Sequence, residues 1–136
     1  MAVKTARKPA KKASRKSAPA AETFLPRKIG HVMVFVRNMK KAVAFYRDTL
    51  GLSCAYESDC WSEFKTEGAT LALHHSDDAA PRNSGISFNV GNVDDTVNSL
   101  VSRGVKIVRQ AEAVCDDIRC ASFADPEGNV LGVSGR

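Results

Sequence analysis

The chain contains no apolar run long enough for a membrane span or a secretory core, no CxxC pair and only three histidines. The first absence argues against a transmembrane helix and a signal peptide, since a crossing needs about 20 consecutive apolar residues. The four cysteines (Cys54, Cys60, Cys115 and Cys120) show no metal-type or secretory spacing. Reduced thiols in a soluble, cytoplasmic protein are therefore expected. Cys115 and Cys120 bracket a segment short enough for a hairpin to bring them together. The scarcity of histidine argues against a hydrolytic triad, because no Ser-His-Asp or Cys-His set emerges.

Acid is missing altogether from residues 1–19, which hold Lys4, Arg7, Lys8, Lys11, Lys12, Arg15 and Lys16. The formal charge of +5 is thus an average over unlike parts: the remainder carries 13 basic residues against 15 acidic ones. Residues 1–28 form a Lys/Ala/Pro-rich tail that cannot bury enough apolar surface to offset the entropy of ordering, so disorder is expected there. A solvated leader, an arm for nucleic acid or another polyanion, and a transit peptide are the three readings of it. Pro9, Pro19 and the lack of an apolar face argue against the third. Beyond the tail, the chain has the length of one domain with one core.

That domain is written twice. Gly30-His31-Val32-Met33-Val34-Phe35-Val36 returns as Ser84-Gly85-Ile86-Ser87-Phe88-Asn89-Val90. Val36 and Val90, Met39 and Val93, and Val43 and Val97 are each 54 positions apart. An alternating, β-branched strand over residues 29–36 leads to Asn38, a cap for a helix with Met39, Val43, Tyr46 and Leu50 on one face. Gly51 stops that helix. Strand patterns come next at 52–57, 61–66 and 70–75, with a turn at Glu67-Gly68 and a polar linker over 76–83. The second unit has a strand at 85–90, a helix capped by Asn92 and closed by Gly104, and strands at 105–108, 120–124 and 129–133. Pro and Gly make Asp125-Pro126-Glu127-Gly128-Asn129 a structural turn rather than an acid pair. The expected architecture is α+β: two βαβββ repeats, about 29–75 and 84–133 within a domain spanning 29–134. Their curved mixed sheets would lie around a cleft.

Several stretches carry a resemblance: the strand with Gly30-His31, the helix ending Phe45-Tyr46-Arg47-Asp48-Thr49-Leu50-Gly51-Leu52, Leu71-Ala72-Leu73-His74, and Phe123-Ala124-Asp125-Pro126-Glu127-Gly128-Asn129. Together they resemble the vicinal-oxygen-chelate superfamily of glyoxalases, bleomycin-resistance proteins, fosfomycin-modifying enzymes and extradiol dioxygenases. The resemblance implies a divalent metal held by His, Glu or Gln from the first, fourth, fifth and eighth strands, acting as a Lewis acid on substrate oxygens. Carried over position by position, these ligands fall on His31, Ala72, Gly85 and Gly132. One donor of four remains, short of the three a catalytic metal needs. His74 lies on the same strand face as Ala72, so His31 and His74, completed by Glu63 or Glu57, are the weak metal candidates.

By strand alternation the concave face collects His31, Met33, Phe35, Thr70, Ala72, His74, Ser87, Asn89, Val130 and Gly132, with Trp61 and Phe64 at its rim. Ligand-binding candidates are His31, Met33, Phe35, Trp61, Phe64, His74, Ser87 and Asn89. Small residues at the lost ligand positions should leave space. Each candidate also has a plain structural reading: His31 and His74 as polar strand ends, Trp61, Met33 and Phe35 as packing. The resemblance implies a small-molecule-binding protein of the bleomycin-resistance type, sequestering its ligand without a metal or other cofactor, as a homodimer. Two alternatives stand beside it. One is a divalent-metal-dependent enzyme, a glyoxalase-like lyase or a dioxygenase, with a rearranged site. The other is a nucleic-acid-associated protein using the basic tail.

Overall fold

A computed structural model describes residues 25–136. The expectations for residues 1–24 lie outside the described residues. The elements are β1 (His31–Val36), α1 (Met39–Ala44) continuing into a π-helical turn (Phe45–Thr49), β2 (Ser53–Tyr56), β3 (Trp61–Lys65) and β4 (Thr70–His75). The second half holds β5 (Asn83–Asn89), α2 (Val93–Ser102), β6 (Lys106–Cys115), β7 (Ile118–Ala124) and β8 (Val130–Gly135). They form two open four-stranded sheets, ordered β1-β4-β3-β2 and β5-β8-β7-β6. In each, the first strand pairs with the last in parallel and the rest are antiparallel. The repeated βαβββ unit is thus present twice.

Both helices start where their caps predict. Asn38 accepts from the Lys41 amide at 3.0 Å and Asn92 from the Asp95 amide at 2.9 Å, each satisfying a donor the helix leaves unpaired. Gly51 and Gly104 take φ of 80° just past the two helices, a conformation that costs a side chain-bearing residue about 1–2 kcal/mol. The first helix differs from the even α-helix expected over 39–50. It widens after Ala44, with the Leu50 amide reaching back to Phe45. The wider turn sends two successive aromatics inward, and the Phe45 and Tyr46 rings meet edge-on at 5.2 Å. The last hairpin also differs: β6 runs ten residues rather than four, carried past 108 by register shifts. Within it Cys115 pairs with Ile118 and Cys120 with Glu112, so the two thiols do not meet, and all four cysteines are free.

One core joins the repeats. Val34, Val36, Phe64, Leu71 and Leu73 from the first sheet share it with Phe123, Leu131 and Val133 from the second, closed by Val43, Tyr46, Val93, Val97 and Leu100. The turn between β7 and β8 then clamps the corner between β1 and α1. Glu127 accepts from the Arg37 amide at 2.6 Å and the Asn38 amide at 2.7 Å, while the Asn129 side chain donates to the Phe35 carbonyl at 3.2 Å. Beneath them the buried Asp125 accepts from the Tyr46 hydroxyl at 2.9 Å.

Burial, reinforced by the Asp125 carboxylate, pushes the Tyr46 phenol far above the ordinary tyrosine value. The unfolded chain releases that proton near pH 10, whereas the folded chain keeps it. The Tyr46 contribution to stability is therefore full below about pH 10 and is lost above it, by about 1.4 kcal/mol per pH unit. Urea midpoints measured between about pH 8 and pH 11 should show the decline. Tyr46→Phe should make it shallower by one proton's worth; an unchanged slope would refute the assignment.

Candidate functional site

Register places the paired positions of β3, β4 and β1 on one face of the first sheet. Trp61 pairs with His74 and His74 with Phe35; Glu63 pairs with Ala72 and Ala72 with Met33; Thr70 pairs with His31. These rows form a grid with Ala72 at its centre. The opposite face carries Val34, Leu71, Leu73 and Phe64 into the core.

The grid is occupied by rings. Trp61 stands edge-on to His31 at 5.3 Å and to His74 at 5.5 Å, and His74 lies tilted against Phe35 at 5.3 Å. Trp61 and His31 sit at opposite corners of the grid, so an indole that reaches His31 must cross the centre. Ala72, at that centre, is fully buried although its strand face is the open one. The indole is its cover. The small side chain at 72 leaves room for this crossing, so Trp61 takes up the space expected there. The indole N–H donates to Glu63 Oε2 at 2.7 Å, which fixes the ring. The Arg82 guanidinium extends the row, its Cζ 5.6 Å from the centre of the Phe35 ring.

Three expectations change. Phe64 is not at the rim: it is fully buried, 5.9 Å from the Tyr46 ring, because it stands three residues from Trp61 and strand alternation sends it to the other face. Ser87 and Asn89 do not join the ring cluster. They line a separate recess of about 600 Å³ with Lys65, Thr66, Glu67 and Gly68, and the Ser87 hydroxyl is engaged by Ser134 at 3.3 Å. His31 and His74 do not pair with each other either: His74 is in register with Phe35, four residues along β1 from His31, and each imidazole packs against the indole. The indole lies between them. Met33 is on the same face and exposed. Glu63 does turn to this face, but its carboxylate is taken by Trp61, and Glu57 lies 3.7 Å from Arg47 instead.

The donor set for a metal is therefore poor. Ala72, Gly85 and Gly132 bring no donor atom, and Gly85 adopts φ of 73°, where a histidine or glutamate side chain would be strained. Among the described residues no three His, Cys, Asp or Glu side chains gather to hold an ion. The residues present do not fit the chelate that the resemblance implies. The matching face of the second sheet carries small residues, with Cys120 where the first repeat has Trp61, and with Ser122, Gly132, Ser87 and Ser134 around it.

Arg82 and Glu63 are the members that sequence reasoning left outside the ligand-binding set. Glu63 is two residues from Trp61, so alternation alone assigns both to one face. Arg82 lies in a stretch that reads only as a polar linker, and nothing in its neighbours points to Phe35.

Residues 28–133 match the family model described as Glyoxalase/Bleomycin resistance protein/Dioxygenase superfamily. A metallothiol transferase, FosB, of Staphylococcus haemolyticus is 30% identical over 111 residues, covering 76% of this chain and 79% of that protein. A member of the same superfamily from Sphaerobacter thermophilus superposes with a TM-score of 0.72 at 22% identity, over 82% of this chain and 98% of the other. A lactoylglutathione lyase of Agrobacterium tumefaciens gives a TM-score of 0.68 at 18% identity, over 82% and 95%. No helix among the described residues is long and apolar enough to cross a membrane. With the repeated βαβββ units, these likenesses establish that the chain belongs to the glyoxalase/bleomycin resistance protein/dioxygenase superfamily.

Proposed function

We propose that this protein binds a small planar organic molecule on the β1-β4-β3 face, with no metal held by its side chains. The observation that carries the reading is the Trp61 indole lying across Ala72 between His31 and His74. It fills the place from which a fourth-strand ligand side chain would reach a metal, and it offers an aromatic floor instead. Flat ligands stack on such floors with a gain of about 0.5–1.5 kcal/mol beyond burial. Met33, Phe35 and the two imidazoles supply the remaining contacts, a makeup of apolar walls with a few polar groups that suits a small-molecule site. The protein sequesters its ligand on this reading, and the metal chemistry that the superfamily resemblance implies would need donors that Ala72, Gly85 and Gly132 lack.

Trp61 is the single tryptophan, so its indole N–H gives one assignable resonance in a ¹H–¹⁵N spectrum. Titration with Zn²⁺, Ni²⁺, Mn²⁺ and Fe²⁺, paired with metal analysis of the purified protein, should give no stoichiometric binding. Stoichiometric metal that disappears in a His31→Ala/His74→Ala double mutant would overturn the proposal and make a metal-dependent enzyme the reading to pursue.

A further inference from the structure

Resting on that binding reading, we infer that the ligand is a planar aromatic acid whose carboxylate is received by Arg82. The rings and the cation form a continuous path: Arg82 over Phe35 at 5.6 Å, Phe35 against His74 at 5.3 Å, His74 against Trp61 at 5.5 Å. A flat molecule stacked on the Trp61 indole, with the His74 ring standing beside it, can extend one edge along Phe35 toward the guanidinium.

Charge decides between an acid and an amine. Glu63 supplies the carboxylate of the ring cluster, and the Trp61 indole already donates to it at 2.7 Å. Arg82 is the opposite case. No carboxylate among the described residues pairs with it, whereas Arg47, Arg109, Arg119 and Arg136 have acidic partners; Arg37 and Arg103 also lack one, but Arg82 is the one set over a ring of the cluster. Its five donors are left for solvent or ligand, in a fork that matches a carboxylate.

Arg82 is exposed, but its backbone is anchored. The Arg82 amide donates to Asn129 Oδ1 at 3.3 Å, and the Arg82 carbonyl accepts from the Val130 amide at 2.9 Å. Asn129 is itself buried and held by Asp125. The side chain thus starts from an anchored point beside the knot that joins the two repeats, and stacking on Phe35 restricts it further. The contact with Phe35 narrows the choices of this exposed side chain, which lowers the ordering cost when a carboxylate binds.

The test uses three probes of one shape: naphthalene-2-carboxylate, naphthalene-2-carboxamide and 2-naphthylmethylammonium. Each is titrated into the full chain while the Trp61 indole resonance and the calorimetric heat are followed. The acid is expected to shift the resonance and to bind at least about ten-fold more tightly than the amide, the discrimination a charged hydrogen bond supports. Arg82→Gln should bring the acid down to the amide's affinity while the indole shift survives, and Arg82→Lys should keep part of the preference. Equal affinity for acid and amide would leave the aromatic floor standing and overturn the role of Arg82. Tightest binding by the ammonium, lost in Glu63→Gln, would overturn it in favour of a cationic ligand. If no probe moves the Trp61 resonance, the binding reading itself fails and this inference falls with it.

Discussion

Asp125→Ala is expected to destabilise the protein by about 3–5 kcal/mol, a third or more of what a domain of this size has to lose. Four donors converge on that carboxylate: the Tyr46 hydroxyl at 2.9 Å, the Glu127 amide at 2.9 Å, the Asn129 amide at 2.9 Å and the Asn129 side chain at 3.1 Å. Tyr46 and Asn129 are buried almost completely, so alanine strands the Tyr46 hydroxyl, the Asn129 amide and one hydrogen of the Asn129 side chain, whose other hydrogen keeps the Phe35 carbonyl. Each such orphan costs about 1–3 kcal/mol. Asp125→Asn should fall between, because it keeps one acceptor oxygen but sets an amide N–H against a donor. Glu127→Ala should cost about 1 kcal/mol, since its bonds cap an exposed helix start. Urea unfolding of the three variants gives the ranking. A cost for Asp125→Ala as small as that for Glu127→Ala would show that the knot does not join the repeats.

The same turn illustrates what the sequence makes legible. Asp-Pro-Glu-Gly reads as a turn because proline and glycine restrict the backbone, and Gly128 does take φ of 84°. The caps, the helix stops and the doubled βαβββ order are equally local, set by residues within a few positions of one another. What the turn holds is not local. Glu127 meets Arg37 and Asn38 some ninety positions away, and no spacing in the chain announces that. The π-helical widening after Ala44 is similar: it is decided by fitting two aromatics into a core shared with the second repeat.

In the candidate site the face of each strand is readable from alternation, and the members His31, Met33, Phe35, Ala72 and His74 do lie on one side. Two things are not. The long indole does not stay above its own strand, so the room expected at Ala72 is filled by a residue from β3. Arg82 reaches Phe35 from a connection whose path depends on Asn129 in the second repeat. Long side chains and connections escape a rule that fixes only the direction of Cβ.

Phe64 and Trp61 put that distinction to its sharpest test, because both are aromatic residues of β3 and they face opposite ways. Phe64→Ala is expected to cost about 3–5 kcal/mol, the penalty for a cavity in a core where the ring is fully buried against Tyr46. Trp61→Ala, on the open face, should cost about 1–2 kcal/mol, because the removed ring is partly solvated and the space it leaves is open to water. Binding should separate them the other way. Trp61→Ala should abolish affinity for naphthalene-2-carboxylate by removing the floor and baring Ala72. Phe64→Leu, which keeps the core filled and the chain folded, should bind the probe as the parent does. Were Phe64→Leu to lose binding while Trp61→Ala kept it, the ligand would lie on the other side of the sheet. The site built from strand register would then be on the wrong face altogether, since one residue of slip exchanges every side chain between the two faces.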